Sequence, residues 1–266
     1  MDNRERIDAW WEDPDTVSLI DKNLRQLETS FIASHLSQDD QFADFGCGDG
    51  ESTIYYAARV KSCLALERSR ALRARAQRRF NDAGLKSVEL VDGDVRDLSI
   101  YSGRFTACAT QRVIINFMSW EEQQDVLKNI WSTLRPGGRY IMVENTFEGF
   151  EALNAVRRAV GLSNIILHDW HNYFLHHDLF LRFVEDKFVI EKSHTFNLYY
   201  LLTRIFTNMF ASFEGFGPKA KKDSIFELAD KAARELYELI GDRVHIDVDK
   251  GDSFGPIQGW VLRRMG

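Results

Sequence analysis

The stretch Phe42-Ala-Asp44-Phe-Gly46-Cys47-Gly48-Asp-Gly50 limits what this chain can fold into more than any other. A short apolar run carrying an acid meets three glycines at alternate positions, and a helix-forming run over 52–60 follows at once. Glycine takes the backbone of a tight turn without a side-chain clash and leaves bare backbone that a ligand can approach. A strand, a glycine turn and a helix in succession make the nucleotide-binding corner of a doubly wound α/β sheet.

Apolar runs over 62–66, 88–91, 105–110 and 139–143 predict further strands, with helices over 69–82 and from Ser119 between them. The expected fold class is therefore α/β, a doubly wound and mostly parallel sheet. Polar or acidic residues stand where these strands end, which is where ligands bind in open parallel sheets. Residues 1–40 read as helical, with a break at Pro14, and form an N-terminal lid before a core over 41–145. Beyond it, helices are predicted over 148–161, 178–186, 197–213 and 223–240, with strands at 188–192 and 257–264. The roughly sixty residues between those two strands are too many for a plain loop. Residues 146–186 and 196–252 are therefore assigned to a helical cap, and 187–195 and 253–266 to the last strands of the core sheet.

Charge excludes some functions. The net charge of -6 gives no reason to expect nucleic acid as a partner, and the arginines of 68–79 read as a solvated helix face. No run of 18 apolar residues and no apolar leader is present, so neither membrane insertion nor export is expected. Three scattered cysteines, Cys47, Cys63 and Cys108, suit reduced buried thiols in a cytoplasmic protein and offer no zinc pair. No metal is expected.

The glycine spacing is G-x-G-x-G rather than the dinucleotide G-x-G-x-x-G, and Asp44 stands beside it. An acid there repels a diphosphate and suits a cation. Glu67, twenty-one residues beyond Gly46, is placed to accept a ribose diol. Asp94 is placed to accept from an adenine amino group, with the Val95 amide facing the ring. An adenosine carrying positive charge is S-adenosyl-L-methionine, with S-adenosyl-L-homocysteine as the product of its reaction. Four motifs then resemble the class I S-adenosylmethionine-dependent methyltransferases. They are Asp44 to Gly50, Glu67 with Arg68 beside it, Asp92-Gly-Asp94, and Leu134-Arg-Pro-Gly-Gly138. The resemblance implies a seven-stranded Rossmann-like sheet with an antiparallel last strand. It also implies that Gln111 borders the methionine end of the cofactor.

Methyl transfer needs positioning and a dry site, and for hydroxyl acceptors a base. Arg112 is a candidate holder of an acceptor carboxylate or phosphate, or else the partner of Glu144 or another strand-end acid; Asn116 is a candidate of the same kind. Glu144 is itself counted with the substrate-binding candidates. The stretch 168–178 holds His168, His171, His176 and His177. His171, and after it His168, is the candidate general base; metal ligation and simple helix capping are the competing readings. Tyr199, Tyr200 and Arg204, on an aromatic helix, line an acceptor pocket or pack in the core, and Trp10-Trp11 closes over the cofactor or packs. The expected function is methyl transfer from S-adenosylmethionine to a small polar metabolite at oxygen, a sugar or an anionic acceptor. An amine N-methyltransferase and a non-catalytic cofactor-binding partner are the alternatives. The expected partner is the small-molecule acceptor, and a homodimer is compatible with the sequence.

Overall fold

The computed structural model describes residues 3–13, 15–16, 20–167, 170, 172–213, 224–241 and 253–266. Strands β1 (Gln41–Phe45), β2 (Ser62–Glu67), β3 (Val88–Asp92), β4 (Phe105–Gln111), β5 (Leu134–Asn145), β6 (Phe188–Thr195) and β7 (Ile257–Arg264) form one sheet. Their order is β3-β2-β1-β4-β5-β7-β6, parallel from β3 to β5, with β7 antiparallel to both β5 and β6. The expected mixed sheet with an antiparallel last strand is what the chain forms. Strand order reverses between β1 and β4, and the crevice at such a reversal is the ligand site of open α/β sheets.

Helices cover both faces. On one lie α2 (Lys22–Ser34), α8 (Asn197–Tyr200) and α10 (Ser224–Ile240); on the other lie α5 (Trp120–Thr133) and α7 (His177–Glu185). The two-residue period of the central strands feeds both cores. Ala107, Ala109, Ile141 and Val143 join the cluster with Leu24, Leu27 and Phe31, whereas Cys108, Tyr140 and Met142 join Val126, Ile130 and Phe180. Of the helices assigned to a cap, α8 and α10 thus share one cluster with α2, and α7 joins the cluster on the opposite face. The remaining helices are α1 (Asn3–Glu12), α3 (Thr53–Ala57), α4 (Arg70–Asp82), α6 (Phe147–Ala159) and α9 (Thr207–Phe213).

Two predicted elements differ. The run 197–213 is not one regular α-helix, because Leu201–Phe206 is wound as a π-helix between α8 and α9. Side chains divert its carbonyls: the Thr207 hydroxyl donates to Leu202 and the Asn208 amide to Thr203, each five residues back. Strand β5 begins at Leu134, five residues before the prediction, and its pairing with β4 shifts register where Arg135-Pro-Gly-Gly138 intervenes. Among the described residues, no helix is long and apolar enough to cross a membrane.

Candidate functional site

The turn after β1 is held closed by the amides of Gly46 and Cys47, which both donate to the Leu66 carbonyl, at 2.8 and 3.0 Å. Gly46, Gly48 and Gly50 have φ of 75°, 59° and 77°, the left-handed region that disfavours any side chain. Two of them serve different ends. A Cβ on Gly48 would meet nothing within 4 Å, so bare backbone faces the cavity. A Cβ on Gly50 would stand 2.6 Å from the Phe80 ring, so this glycine lets α4 close on the turn. All the residues singled out for a cofactor except Gly50 line one cavity of about 590 Å³. That correction follows from the packing: Gly50 faces Phe80 rather than the cavity.

The carboxylates at successive strand ends have different surroundings. Asp44 is buried at 4% exposure, and its Oδ2 accepts from the Thr53 hydroxyl at 2.6 Å. Burial pushes its carboxyl up to about 7, against the Thr53 hydrogen bond and helped by the nearby Glu67. Among the described residues no cation pairs with it, so a cationic ligand fits this wall of the cavity. Glu67 accepts from the Gly48 amide at 3.0 Å and the Ser69 amide at 2.8 Å. Burial raises its carboxyl and those amides oppose the rise. Two amides fix the carboxylate plane and leave lone pairs for a diol. Asp94 departs from expectation, because Arg96 engages both its oxygens. Burial alone would raise Asp94, but the hydrogen bonds and charge of Arg96 outweigh it and hold the carboxyl low. An adenine amino group there shares the acid with Arg96. Val95 is buried beside it in the cavity wall. The Cys47 thiol is pushed well up by burial and the acids around it, which makes it no nucleophile.

Beyond β4 the chain takes an unusual step. Arg112 has φ of 56°, and its amide donates to Val143 at 2.8 Å. The acid it meets is not Glu144 but Glu28 of α2, fully buried, with Nε to Oε2 at 3.2 Å. Gln111 donates to the same Glu28 oxygen at 2.6 Å and accepts from the Tyr56 hydroxyl at 3.2 Å. Burial raises the Glu28 carboxyl, against Arg112 and Gln111. The terminal nitrogens of Arg112 donate to none of the described residues, and the side chain lines the cavity.

Helix α1 lies over this cavity, with Ile7, Asp8, Trp10 and Trp11 in its wall. The Trp11 indole donates to the Asn116 side-chain oxygen at 3.2 Å, and Asp8 pairs with Arg68. The far end of α1 is tied to the start of α4. The Ser69 hydroxyl donates to the Trp11 carbonyl at 2.8 Å, and the amides of Arg70 and Ala71 donate to Glu12 at 2.8 and 3.3 Å. Trp170 meets Trp10 edge-on at 5.6 Å.

Several predicted acceptor residues stand elsewhere. Glu144 is fully buried, and its Oε1 accepts from the amides of Val113 and Ile114 at 2.9 and 3.0 Å, which pins the segment after β4 rather than a ligand. Burial lifts its carboxyl to about 7, against those amides. Tyr199 and Arg204 both engage Asp21, at the N-cap of α2, and neither they nor Tyr200 lines the cavity. The Tyr199 and Arg204 side chains reach the α2 cap, and Tyr200 is buried in the core. Asn116 lines the cavity with its amide already engaged by Trp11 and by the carbonyls of Arg112 and Val113. His168 and His171 lie outside the described residues. His176 and His177 open α7, with Glu148 facing both. Among the described residues no group of three His, Cys, Asp or Glu side chains stands together as a metal site.

Sequence reasoning missed Glu28, Arg96 and Asn145. Glu28 left a trace, an acid inside the apolar stripe Leu24, Leu27, Phe31. Asn145 left none beyond its place at the end of a strand.

Residues 42–138 match the family of the methyltransferase domain. A stretch of 114 residues is 26% identical to carboxy-S-adenosyl-L-methionine synthase of Erwinia tasmaniensis, covering 41% of this chain and 45% of that protein. The chain spans about half the length of most of the curated relatives it matches. A solved structure of a candidate methyltransferase from Bacillus halodurans superposes with a TM-score of 0.56 at 17% identity, covering 90% of this chain and 98% of that one. Geranyl diphosphate methyltransferase, solved with GPP and sinefungin, gives 0.55 at 16%, covering 91% and 77%. At these identities the structural likeness establishes the fold.

Proposed function

We propose that this chain, which carries a class I S-adenosylmethionine-dependent methyltransferase domain, methylates an oxygen of a small polar acceptor bearing an anionic group. The observation that carries the reading is the row of carboxylates Asp44, Glu67 and Asp94 around a glycine turn open to the cavity. Bound S-adenosylmethionine supplies a methyl group on a positively charged sulfur, already activated toward attack. The chain's own work is then positional. Asp44 offers its buried charge to the ligand's cationic end, and Glu67 offers its free lone pairs to the ribose. The tryptophans of α1 keep water from the cavity. Arg112, whose terminal nitrogens have no partner among the described residues, supports an anionic acceptor.

Calorimetry with S-adenosylhomocysteine on the intact chain and on Glu67→Gln tests the cofactor half, with binding expected and a loss of about tenfold or more in the variant. Absence of binding overturns it. Transfer of labelled methyl from S-adenosylmethionine to charged and neutral acceptors tests the rest. Arg112→Ala is expected to lose activity on the charged ones alone, and equal losses on both refute the anionic site. Binding without transfer to any acceptor returns the chain to a cofactor-binding role. A second reading, synthesis of a carboxylated S-adenosylmethionine, is favoured by the similarity to the Erwinia synthase. Mass spectrometry of the nucleoside products separates the two.

A further inference from the structure

The strand order works as a ruler for the ligand. Neighbouring strands lie ~4.8 Å apart. The carboxyl edge runs β3, β2, β1, β4, β5, and Asp94, Glu67, Asp44, Arg112 and Asn145, at or just beyond those five ends, all line the cavity. On the reading above, on which this inference rests, the first three hold the adenosine and the cation. The acceptor then lies over β4 and β5, between Arg112 and Asn145.

Asn145 is the last residue of β5 and is 9% exposed. Its backbone is in use: the carbonyl accepts from the Leu175 amide at 2.9 Å, and the residue pairs with Ile257 across β7. Its carboxamide is not. Oδ1 is buried without a hydrogen-bond partner, and the amide nitrogen donates to none of the described residues. The contrast with Asn116 is informative, because that amide is satisfied at both ends. A buried unpaired amide is expensive, at about 1–3 kcal/mol, and a ligand group is what relieves it. A hydroxyl donates to the oxygen and accepts from the nitrogen, so it satisfies either orientation of the amide. An ammonium satisfies only the oxygen.

We propose that Asn145 binds a hydroxyl of the acceptor, roughly one strand spacing from the anion taken by Arg112. The acceptor class is then a compact hydroxylated organic anion, read by Asn145 for its hydroxyl and by Arg112 for its charge. Amines are disfavoured by the same residue.

The test is calorimetry on the full chain saturated with S-adenosylhomocysteine. Malate, succinate and aspartate form one probe set, and glycerol 3-phosphate with propyl phosphate forms the other. The hydroxylated member of either set is expected to bind at least about tenfold more tightly than its deoxy or amino counterpart, and the set that binds identifies carboxylate or phosphate as the anion. Asn145→Leu is expected to erase that gap with S-adenosylhomocysteine affinity unchanged, and Asn145→Ser, which keeps a hydrogen-bonding group, to restore part of it. Arg112→Met is expected to weaken the hydroxylated and deoxy members alike. Equal binding of malate and succinate together with equal binding of the two phosphates, a gap that survives in Asn145→Leu, or no binding in both sets overturns the proposal. So does a tenfold loss of S-adenosylhomocysteine affinity in Arg112→Met, which assigns the anion to the cofactor. Failure of the intact chain to bind S-adenosylhomocysteine at all overturns instead the cofactor reading beneath it.

Discussion

Replacing Asp44 with Asn is expected to make the ligand-free protein more stable while weakening its hold on a cationic ligand. Burial lifts the Asp44 carboxyl from 3.8 to about 7, with the Thr53 hydroxyl opposing and Glu67 reinforcing. A folded-state value above the unfolded one means that the folded protein binds the proton more tightly. Below about pH 4 the acid then costs the fold nothing. The cost grows as pH rises from there and is complete above about pH 7. A displacement of about three pH units corresponds to on the order of 4 kcal/mol. The asparagine oxygen still accepts from Thr53, so the substitution removes the charge and keeps the hydrogen bond. Thermal unfolding of the ligand-free variant should lie roughly 8–16 °C above the parent at pH 8, at about 2–4 °C per kcal/mol for a chain of this size. At pH 5 the gap should shrink to about a third of that. Calorimetry with S-adenosylmethionine should show a loss of roughly 10- to 100-fold, as for a hydrogen bond to a charged group. A variant no more stable than the parent at pH 8, or a gap indifferent to pH, refutes the assignment of Asp44 as a buried charge awaiting a cation.

Glu28→Ala should cost about 3 kcal/mol in urea unfolding, because it removes a buried side chain that Arg112 and Gln111 both engage. Gly50→Ala and Gly48→Ala should separate stability from binding. Both are strained by positive φ, at about 1–2 kcal/mol, but only Gly50→Ala also drives a methyl into Phe80, adding about 1–3 kcal/mol. Gly48→Ala should lose mainly S-adenosylhomocysteine affinity, and comparable stability losses in the two variants would contradict the division of labour between these glycines.

The cofactor half of the site was legible because its residues stand at fixed places in a local pattern. Asp44, Glu67 and Asp94 stand within two residues of strand ends, and strand ends follow from short continuous apolar runs. What was illegible depends on partners distant in the chain or on burial. Asp94 is shared with Arg96, a neighbour whose direction no periodicity fixes. Tyr199 and Arg204 look the same in a pocket or a core until Asp21, far back in the chain, decides their direction. Glu144 is the more prominent residue at the end of β5, yet it is the adjacent Asn145 that lines the cavity. Strand alternation puts neighbours on opposite sides, and only the packing of α2 and the segment after β4 settles which side is which.

The fastening of α1 to the first turn of α4 sets how the cavity is entered. The carbonyl of Trp11 and the carboxylate of Glu12 occupy donors at the start of α4, and the Trp11 indole adds one bond to Asn116. The Asp8–Arg68 pair and the buried Ile7 side chain add to these bonds, so α1 is held over the cavity by contacts along its length. Entry past α1 costs those contacts alone, because none of its residues belongs to either main core of the sheet. The helix that the glycine turn packs against, α4, therefore also anchors the helix that covers the cavity.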